Sequence, residues 1–460
     1  MAEIVCNSPI DGREVARRST ATPAAIEQAL QAARTAQREW ARVPLAERCA
    51  AMLRFLEAMR AQNDEVTREL ALQMGRPVRY GGEFRSFEER VRTMIEIAAE
   101  ALAPIVPARK DGFTRYVRRD PLGLILTVAP WNYPYLTAVN TVVPGLIAGN
   151  AVLLKAASQT ILTGERFQAA MDKAGLPKGL FQHLVLGHAD TAKILAGGHV
   201  DHVSFTGSVE GGRAIERAAA GTFTSIGLEL GGKDPAYVRA DADVAHAVEN
   251  LVDGAFFNSG QSCCGIERIY VHEANWDGFV EGFAAATRQY VLGDPLDPAT
   301  TLGPMAATRF ADLVRRQTAQ ALAKGARAHI DAAGFPHNRD GTAWLAPQVL
   351  TNVDHTMDVM TEESFGPVVG LMKVSGDEEA LRLMNDSPYG LTASVWTRDE
   401  AAAERIGSEI ETGTVYMNRC DYLDPGLAWT GVKDTGRGAS LSRIGYEMLT
   451  RPKSFHLRKV

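Results

Sequence analysis

Cysteine is scarce in this sequence, and the few cysteines present do not form a disulfide pattern. The chain has 460 residues and five cysteines, an odd number that favours free thiols in a reducing compartment. Residues 1–11 lack the basic and then apolar pattern of a secretory signal. We therefore expect a cytoplasmic protein.

An excess of positive charge is also missing. Lys and Arg number 49 against 55 Asp and Glu, which gives a net charge of −6, and no basic cluster marks a nucleic-acid-binding surface. Hydrophobic residues make up 46% and charged residues 23%, values typical of a folded globular protein. The length predicts two or three domains, and no binding to nucleic acid is expected.

Two familiar site motifs are absent as well. The Gly-x-Gly-x-x-Gly fingerprint of a standard Rossmann domain occurs nowhere, and neither does His-Glu-x-x-His. The histidines at 183, 188, 199 and 202 are therefore interpreted as ordinary core or surface residues, and no metal site is predicted.

A membrane span is excluded by the prolines of the one long uncharged segment. No charged residue lies between Asp120 and Lys155, but four prolines and three asparagines interrupt every possible 20-residue helix there. The run from Leu122 to Ala129 instead fits a strand that is buried on both faces.

The remaining pattern is that of an α/β protein. The first hundred residues are predicted to be helical, and from Leu122 onward strands and helices alternate. An Arg-rich alternating stretch at 113–119 reads as a partly exposed strand. The tail at 454–458 also alternates, and could pair with that strand or with another subunit.

Cys263 follows a Gly-rich polar turn, Asn258-Ser259-Gly260-Gln261, with two aromatic rings just upstream. A thiolate there could be a nucleophile, since thiolates attack carbon centres better than hydroxyls do. The alternative is that Cys263 and Cys264 are small hydrophobes in a core. The turn residues favour the first interpretation, because a core strand rarely begins with them.

Three further segments carry a structural and a functional interpretation each. Asn132 is an amide at the carboxyl end of a predicted parallel strand, where open α/β sheets bind ligands, or a turn-former before proline. Glu229 is a buried general base whose pKa burial would raise, or a partner of Lys233 or of an arginine. The turn at 206–208 lies between a strand and a helix and could hold a phosphate on its backbone N–H groups.

Together these segments resemble the NAD(P)-dependent aldehyde dehydrogenase superfamily over essentially the whole chain. The matching segments, in order, are Pro130–Pro134, Leu154-Lys155 with Ser158–Thr160, Phe205–Ser208, Leu228–Lys233, Phe257–Cys263 and Glu363–Pro367. The resemblance implies an α/β fold with three parts. These are a Rossmann-type dinucleotide-binding domain (1–111 and 124–231), an α/β catalytic domain (232–442) and small β oligomerisation arms (112–123 and 443–460).

The resemblance also implies the chemistry, which is oxidation of a small aldehyde to the carboxylic acid with NADP or NAD. Cys263, and not Cys264, is then the nucleophile that forms a thiohemiacetal and a thioester. Asn132 and the Cys263 backbone N–H hold the oxyanion, and Glu229 activates the hydrolytic water. The implied cofactor-binding residues are Trp131, Lys155, Ser158, Gly187, Thr206, Gly207, Ser208, Leu230, Glu363 and Phe365.

Three positions depart from the family pattern. Ser158 stands where members that prefer NAD commonly have an acid, so NADP is favoured. Arg451 stands where some members have an auxiliary glutamate, which puts a second proton relay in doubt. Asn140 aligns with an arginine of succinate-semialdehyde members, which weakens that assignment, although Arg419 or another basic group could substitute.

The same alignment implies a substrate pocket and a set of alternatives. The pocket is lined by Tyr135, Asn140, Phe257, Cys420, Tyr422 and Trp429, and a homodimer or homotetramer is expected. The alternatives are a succinate-semialdehyde-type dehydrogenase, an acylating enzyme that uses coenzyme A, a cofactor-independent cysteine esterase or thioesterase, and a non-catalytic relative. Glu229 favours hydrolysis over transfer to coenzyme A.

Overall fold

Two open sheets of mainly parallel strands organise the computed structural model, which describes residues 2–460. Between them the sheets contain thirteen of the strands, and helices cover their faces. The predicted α/β class is confirmed by this architecture.

The strands, in chain order, are β1 Glu3–Asn7, β2 Glu14–Ser19, β3 Phe113–Pro121, β4 Leu124–Val128, β5 Ala151–Lys155, β6 Phe181–His183, β7 His202–Thr206, β8 Ser225–Glu229, β9 Asp234–Val238, β10 Ile266–His272, β11 Arg327–Ala328, β12 Gln348–Thr351, β13 Val368–Val374, β14 Tyr389–Gly390, β15 Thr392–Trp396, β16 Thr414–Met417, β17 Trp429–Thr430, β18 Val432–Lys433, β19 Gly436–Arg437, β20 Ala439–Ser440 and β21 Thr450–Arg458.

The helices are α1 Pro23–Trp40, α2 Leu45–Arg60, α3 Asn63–Met74, α4 Phe84–Ala101, α5 Pro134–Ile147, α6 Leu162–Lys173, α7 His188–Ala196, α8 Val209–Ala219, α9 Val244–Phe256, α10 Trp276–Thr287, α11 Thr308–Ala323, α12 Asp358–Thr361, α13 Asp377–Asn385, α14 Glu400–Glu409 and α15 Ser442–Met448.

The first sheet has the order β19-β8-β7-β4-β5-β6, with all pairs parallel except β19 with β8. Every residue of β4 and β5 is buried, as the apolar run in β4 predicts. The strand order reverses between β4 and β7, and open α/β sheets bind ligands in the crevice at such a reversal. Asn132 and the turn at 206–208 follow these two strands.

The second sheet has the order β11-β12-β13-β10-β9-β15-β16, and only β11 is antiparallel to its neighbour. The chain passes from β8 of the first sheet to β9 of the second through residues 230–233. This short connection joins the two sheets next to the predicted base Glu229.

A separate two-stranded ribbon pairs β3 with β21 along nine residues each. Tyr116 stacks on Phe455 in this ribbon, with ring centroids 4.5 Å apart. The tail therefore pairs with the Arg-rich strand of its own chain, which was one of the two partners predicted for it.

The prediction that the first hundred residues are helical is wrong at their beginning. β1 and β2 form an antiparallel hairpin there, and its inner residues Cys6 and Ala16 are buried against Ile161. The strands are short, and β2 has only two apolar residues, so tertiary packing contributes more than local propensity to their pairing. None of the helices in residues 2–460 has the length and apolar character needed to cross a membrane.

Candidate active site

The loop that carries Cys263 has an unusual backbone held by buried contacts. After α9 the residues Asn258, Ser259 and Gly260 all have positive φ, at 52°, 58° and 70°. A Cβ on Gly260 would lie 2.4 Å from the carbonyl oxygen of Gly366, so only glycine fits there. Arg76 Nε donates to Asn258 Oδ1 at 3.2 Å, which fixes the turn from the far side.

The two adjacent thiols lie in different surroundings. Both line a large cavity, but Cys263 is partly exposed, whereas Cys264 is 2% exposed and belongs to the core. Cys264 Sγ donates to Asp421 Oδ1 at 2.9 Å, and its hydrogen bond with Cys263, followed by burial, raises the pKa of the Cys264 thiol. Cys264 is thus the small buried hydrophobe, and Cys263 is the thiol that a ligand can reach.

Asn132 lies against the same loop. It follows β4, is 4% exposed, and its Nδ2 donates to the backbone oxygen of Gln261 at 3.2 Å. Arg76 donates to the Asn132 backbone oxygen as well as to Asn258, so one guanidinium joins both segments. The amide is therefore more than a turn-former before the proline.

Glu229 ends β8 with a partly buried carboxylate that makes no ion pair within residues 2–460. Its two oxygens accept hydrogen bonds from Thr206 Oγ1 at 3.2 Å and Ser440 Oγ at 2.5 Å. Burial raises the pKa of Glu229, as expected for a general base. Lys233 pairs with Glu267 instead, so the alternative of a Glu229–Lys233 pair is wrong.

The glycine pair after Glu229 brings three distant segments into contact. A Cβ on Gly231 would lie 2.3 Å from a carboxylate oxygen of Glu363, and one on Gly232 would lie 2.6 Å from the Cys263 carbonyl oxygen. Gly232 N also donates to Glu363 Oε1 at 2.9 Å. Any side chain larger than hydrogen would separate the Glu229 segment from the Cys263 loop.

The loop that carries Glu363 and Phe365 is held by a buried network. Glu267 accepts from the backbone N–H of Ser364 and of Phe365, both at 2.8 Å, and pairs with Lys233. Phe365 lies edge-on to Trp131, with centroids 5.5 Å apart. Burial raises the pKa of Glu363 to about 8.

The predicted dinucleotide residues lie at the carboxyl edge of the first sheet. Lys155 ends β5 and is 8% exposed. Within residues 2–460 its ammonium makes one hydrogen bond, a 3.5 Å contact to the Ala156 backbone oxygen. Ser158 is exposed just beyond it, and Gly187 is the N-cap residue of α7. Thr206 and Gly207 follow β7, and the Ser208 hydroxyl caps α8 by accepting from Gly211 N at 3.1 Å. Leu230 packs against Gly212 of the same helix.

A cavity of about 830 Å³ contains Cys263 and Glu229 in its wall. Four of the six predicted substrate residues line it, namely Asn140, Phe257, Tyr422 and Trp429. The prediction is wrong for the other two, whose side chains turn away. Tyr135 stacks on Phe167 in the core, and Cys420 donates to the Asn250 backbone oxygen against Gly254. Tyr133 and Asp421 line the cavity in their place.

Sequence reasoning missed several residues at this site. Ser440 comes from a far C-terminal strand and bonds Glu229, Glu267 supports the Glu363 loop, and Asp421 bonds Ser262 and Cys264. Arg90 on α4 lines the cavity and is 6% exposed. Only Arg90 left a signal in the sequence, because it occupies the apolar face of its helix together with Phe87, Val91 and Met94.

The amino-acid sequence matches the model of the aldehyde dehydrogenase family over residues 2–455. The chain belongs to that family. It is 32% identical to betaine aldehyde dehydrogenase 2 of Rhizobium meliloti (strain 1021) over 98% of this chain and 93% of that protein. It is 35% identical to an aldehyde dehydrogenase of Paenarthrobacter nicotinovorans over 92% of this chain and 93% of that protein.

A solved structure agrees with this assignment. Succinic semialdehyde dehydrogenase from Streptococcus pyogenes in complex with NADP+ superposes with a TM-score of 0.93 at 26% identity, covering 99% of this chain and 100% of that one. The family resemblance drawn from the sequence motifs is confirmed, and this aldehyde dehydrogenase is an oxidoreductase that acts on aldehydes.

Proposed function

We propose that this aldehyde dehydrogenase oxidises a small aldehyde to the carboxylic acid with NADP or NAD, through a thiohemiacetal and a thioester on Cys263. The observation that carries the proposal is the direct contact of the Glu229–Gly232 segment with the Cys263 backbone and Glu363. The proposed nucleophile Cys263 and the proposed base Glu229 line one cavity, and Glu363 contacts the segment that follows Glu229, which supports the proposal.

In the first step the Cys263 thiolate adds to the aldehyde carbon, and negative charge develops on the aldehyde oxygen. Asn132 Nδ2 has a second hydrogen beyond the one donated to Gln261, and this hydrogen and the Cys263 backbone N–H hold the oxyanion. One such donor lowers the activation barrier by about 3–4 kcal/mol. Because Asn132 is buried and tied to the Cys263 loop, the donor is positioned before the substrate arrives.

The residues at the first sheet fit a dinucleotide. The buried Lys155 ammonium has no carboxylate partner in residues 2–460, so a ribose hydroxyl or a phosphate would satisfy it. Lys155 and Ser158 would hold the adenosine ribose, Thr206, Gly207 and Ser208 the pyrophosphate, and Trp131, Glu363 and Phe365 the nicotinamide end. Gly187 and Leu230 would border the groove. When bound, NAD(P)+ supplies a hydride acceptor.

NADP is the favoured cofactor. An acid at position 158 would repel a 2′-phosphate, and Ser158 is uncharged and exposed next to the unpaired Lys155 cation. The Streptococcus pyogenes relative, which binds NADP+, supports this choice.

In the last step Glu229 activates the water that hydrolyses the thioester. The raised pKa makes its carboxylate a stronger base than a surface glutamate. A small cavity of about 30 Å³ adjoins it, lined in part by Asn140, Thr206, Glu229 and Ser440, and it has room for a water molecule. Thioester hydrolysis therefore needs no group from outside the site.

The test is a panel of aldehydes assayed at 340 nm with NADP and with NAD, scored by kcat/KM. We expect reduced cofactor to form with at least one small aldehyde, and faster with NADP. Cleavage of a phenyl ester without any cofactor, combined with no aldehyde oxidation, would instead favour the cysteine esterase. A requirement for coenzyme A would favour the acylating type.

Domain division and assembly belong to the same proposal. We assign residues 1–111 and 124–231 to the dinucleotide domain, 232–442 to the catalytic domain, and the β3–β21 ribbon to an oligomerisation arm of a cytoplasmic homodimer or homotetramer. The ribbon pairs with no other sheet, and its residue Leu457 is half exposed, which supports an interface between copies. Sedimentation velocity of the full chain tests this, and a monomer at micromolar concentration would refute it.

A further inference from the structure

Arg90 is a buried cation in the cavity wall, and no carboxylate of the described chain forms an ion pair with it. It lies on α4, is 6% exposed, and lines the same cavity as Cys263 and Glu229. Its Nη1 donates to the Leu136 backbone oxygen at 2.5 Å and to Asn140 Oδ1 at 3.0 Å. Its Nε and Nη2 have no hydrogen-bond partner within residues 2–460.

Asn140 adds a second unsatisfied donor at the same place. It is 2% exposed and lines the cavity, and its Nδ2 is buried without a hydrogen-bond partner in the described part of the chain. Since Asn140 Oδ1 accepts from Arg90, its amide orientation leaves the NH₂ group unpaired. A guanidinium and an amide donor thus lie side by side with hydrogen-bonding capacity left over.

Five of the six acids that line the cavity have side-chain partners of their own, and the sixth, Asp253, has none within residues 2–460. Glu83 pairs with Arg76 at 2.7 Å, and the side chains of both are almost fully buried. Asp421 accepts from Ser262 and Cys264, and Glu229 accepts from Thr206 and Ser440. A buried guanidinium without an anionic partner carries an uncompensated desolvation penalty. An anion from outside the chain that bound to the free donors of Arg90 would offset this penalty.

We propose that Arg90, oriented by Asn140, binds a carboxylate carried by the aldehyde, so that the substrate is a short oxo acid. This inference rests on the proposed function and names its substrate class. A guanidinium binds a carboxylate through two parallel N–H groups, and the Asn140 amide holds the guanidinium in place by accepting from Arg90 Nη1.

The acid group has to be close to the aldehyde. Arg90 lies in the same cavity wall as Cys263, and the carboxylates of Glu229 and Glu83 act on its charge without forming an ion pair with it. Arg419, the basic residue that the sequence offered for this role, is exposed with its guanidinium 3.4 Å from the Tyr422 ring centre, and it does not line the cavity.

The test compares 4-oxobutanoate with butanal, which has the same chain length and no charge, in four proteins with saturating NADP. The proteins are the wild type, Arg90→Met, Arg90→Lys and Arg92→Met. Arg92 is an exposed arginine of the same helix that pairs with Glu88 and lies outside the cavity, so its substitution controls for the loss of one positive charge.

We expect the wild type to prefer the acid, and Arg90→Met to lower kcat/KM for 4-oxobutanoate by about 30-fold or more, mainly through KM. Butanal should change by less than about threefold, Arg90→Lys should recover part of the preference, and Arg92→Met should keep it. Butanedioate should inhibit butanal oxidation competitively in the wild type and lose this effect in Arg90→Met.

Two outcomes would overturn the inference. One is a wild type that oxidises butanal as well as 4-oxobutanoate, and the other is an equal loss for both substrates in Arg90→Met and Arg90→Lys at unchanged melting temperature. The latter would make Arg90 a support of Glu229 or Cys263. Failure of every aldehyde with either cofactor would instead refute the proposed function, which separates the two results.

Discussion

Ser440 holds the proposed general base, and its removal should move the pH dependence of the reaction. The Ser440 hydroxyl donates to Glu229 Oε1 at 2.5 Å, and this hydrogen bond lowers a pKa that burial raises. In Ser440→Ala the carboxylate loses that donor and keeps the longer one from Thr206. The pKa of Glu229 should therefore rise further.

The size of the change follows from the hydrogen bond. A bond to a charged group contributes about 1.5–3 kcal/mol, and one pKa unit corresponds to about 1.4 kcal/mol, so the upper limit is about 1–2 units. A water molecule could restore part of the bond, and we expect a shift of about one unit. Because the base must be ionised, the acid limb of the deacylation rate should move to higher pH by this amount.

The assay is the rate of thioester hydrolysis against pH, measured in single turnovers of acyl-enzyme formed on Cys263. Ser442→Ala is the matched control, since this buried serine bonds the Ile444 backbone and not Glu229. An acid limb that stays in place, or moves to lower pH, in Ser440→Ala would refute the role given to Glu229.

Three further changes have definite expected results. Cys263→Ser should reduce aldehyde oxidation to background while the Kd for NADPH, measured by fluorescence, stays within about twofold. Ser158→Glu should shift the ratio of kcat/KM values from NADP toward NAD, since a carboxylate there would repel a 2′-phosphate. The buried carboxyl of Glu363 has a pKa of about 8 against an ordinary 4.5, so its stabilising contribution is complete below about pH 4.5 and is lost as the pH rises toward 8. Between pH 5 and 7 the wild type should accordingly lose about 2–3 kcal/mol of unfolding free energy relative to Glu363→Gln, measured in urea.

The proposed catalytic positions could be found from the sequence because each carries a strong local pattern. Cys263 follows a polar glycine turn, Glu229 precedes two glycines, and Asn132 ends an apolar strand. The structure gives a reason for the glycines, since Gly231 and Gly232 touch Glu363 and the Cys263 carbonyl. The glycine pattern is therefore visible in the sequence, although the residues that contact the glycines are far away along the chain.

The residues that line the pocket were harder to predict, because the path of the loop backbone determines which side chains face the cavity. Asp421 has a positive φ of 47°, and at this bend Asp421 and not Cys420 reaches the cavity. At the start of α5, Tyr133 faces the cavity and Tyr135 faces the core. A shift of one or two residues is below what spacing alone can resolve.

Arg90 and the N-terminal hairpin were missed for different reasons. An arginine on a helix is ordinarily exposed, and only its place among Phe87, Val91 and Met94 marks it as buried. The hairpin strands β1 and β2 are only five and six residues long, and they pack against Ile161, a contact that no local pattern indicates.

The passage of the chain from one sheet to the other at residues 230–233 divides the reacting groups between two bodies. Glu229 and Asn132 are attached to the first sheet, while Cys263 leads into β10 of the second. A slight tilt of one sheet relative to the other would move the Cys263 sulfur away from Glu229 and Asn132 without breaking any strand pairing. Mild denaturant should for this reason abolish turnover before it alters the circular dichroism of the backbone.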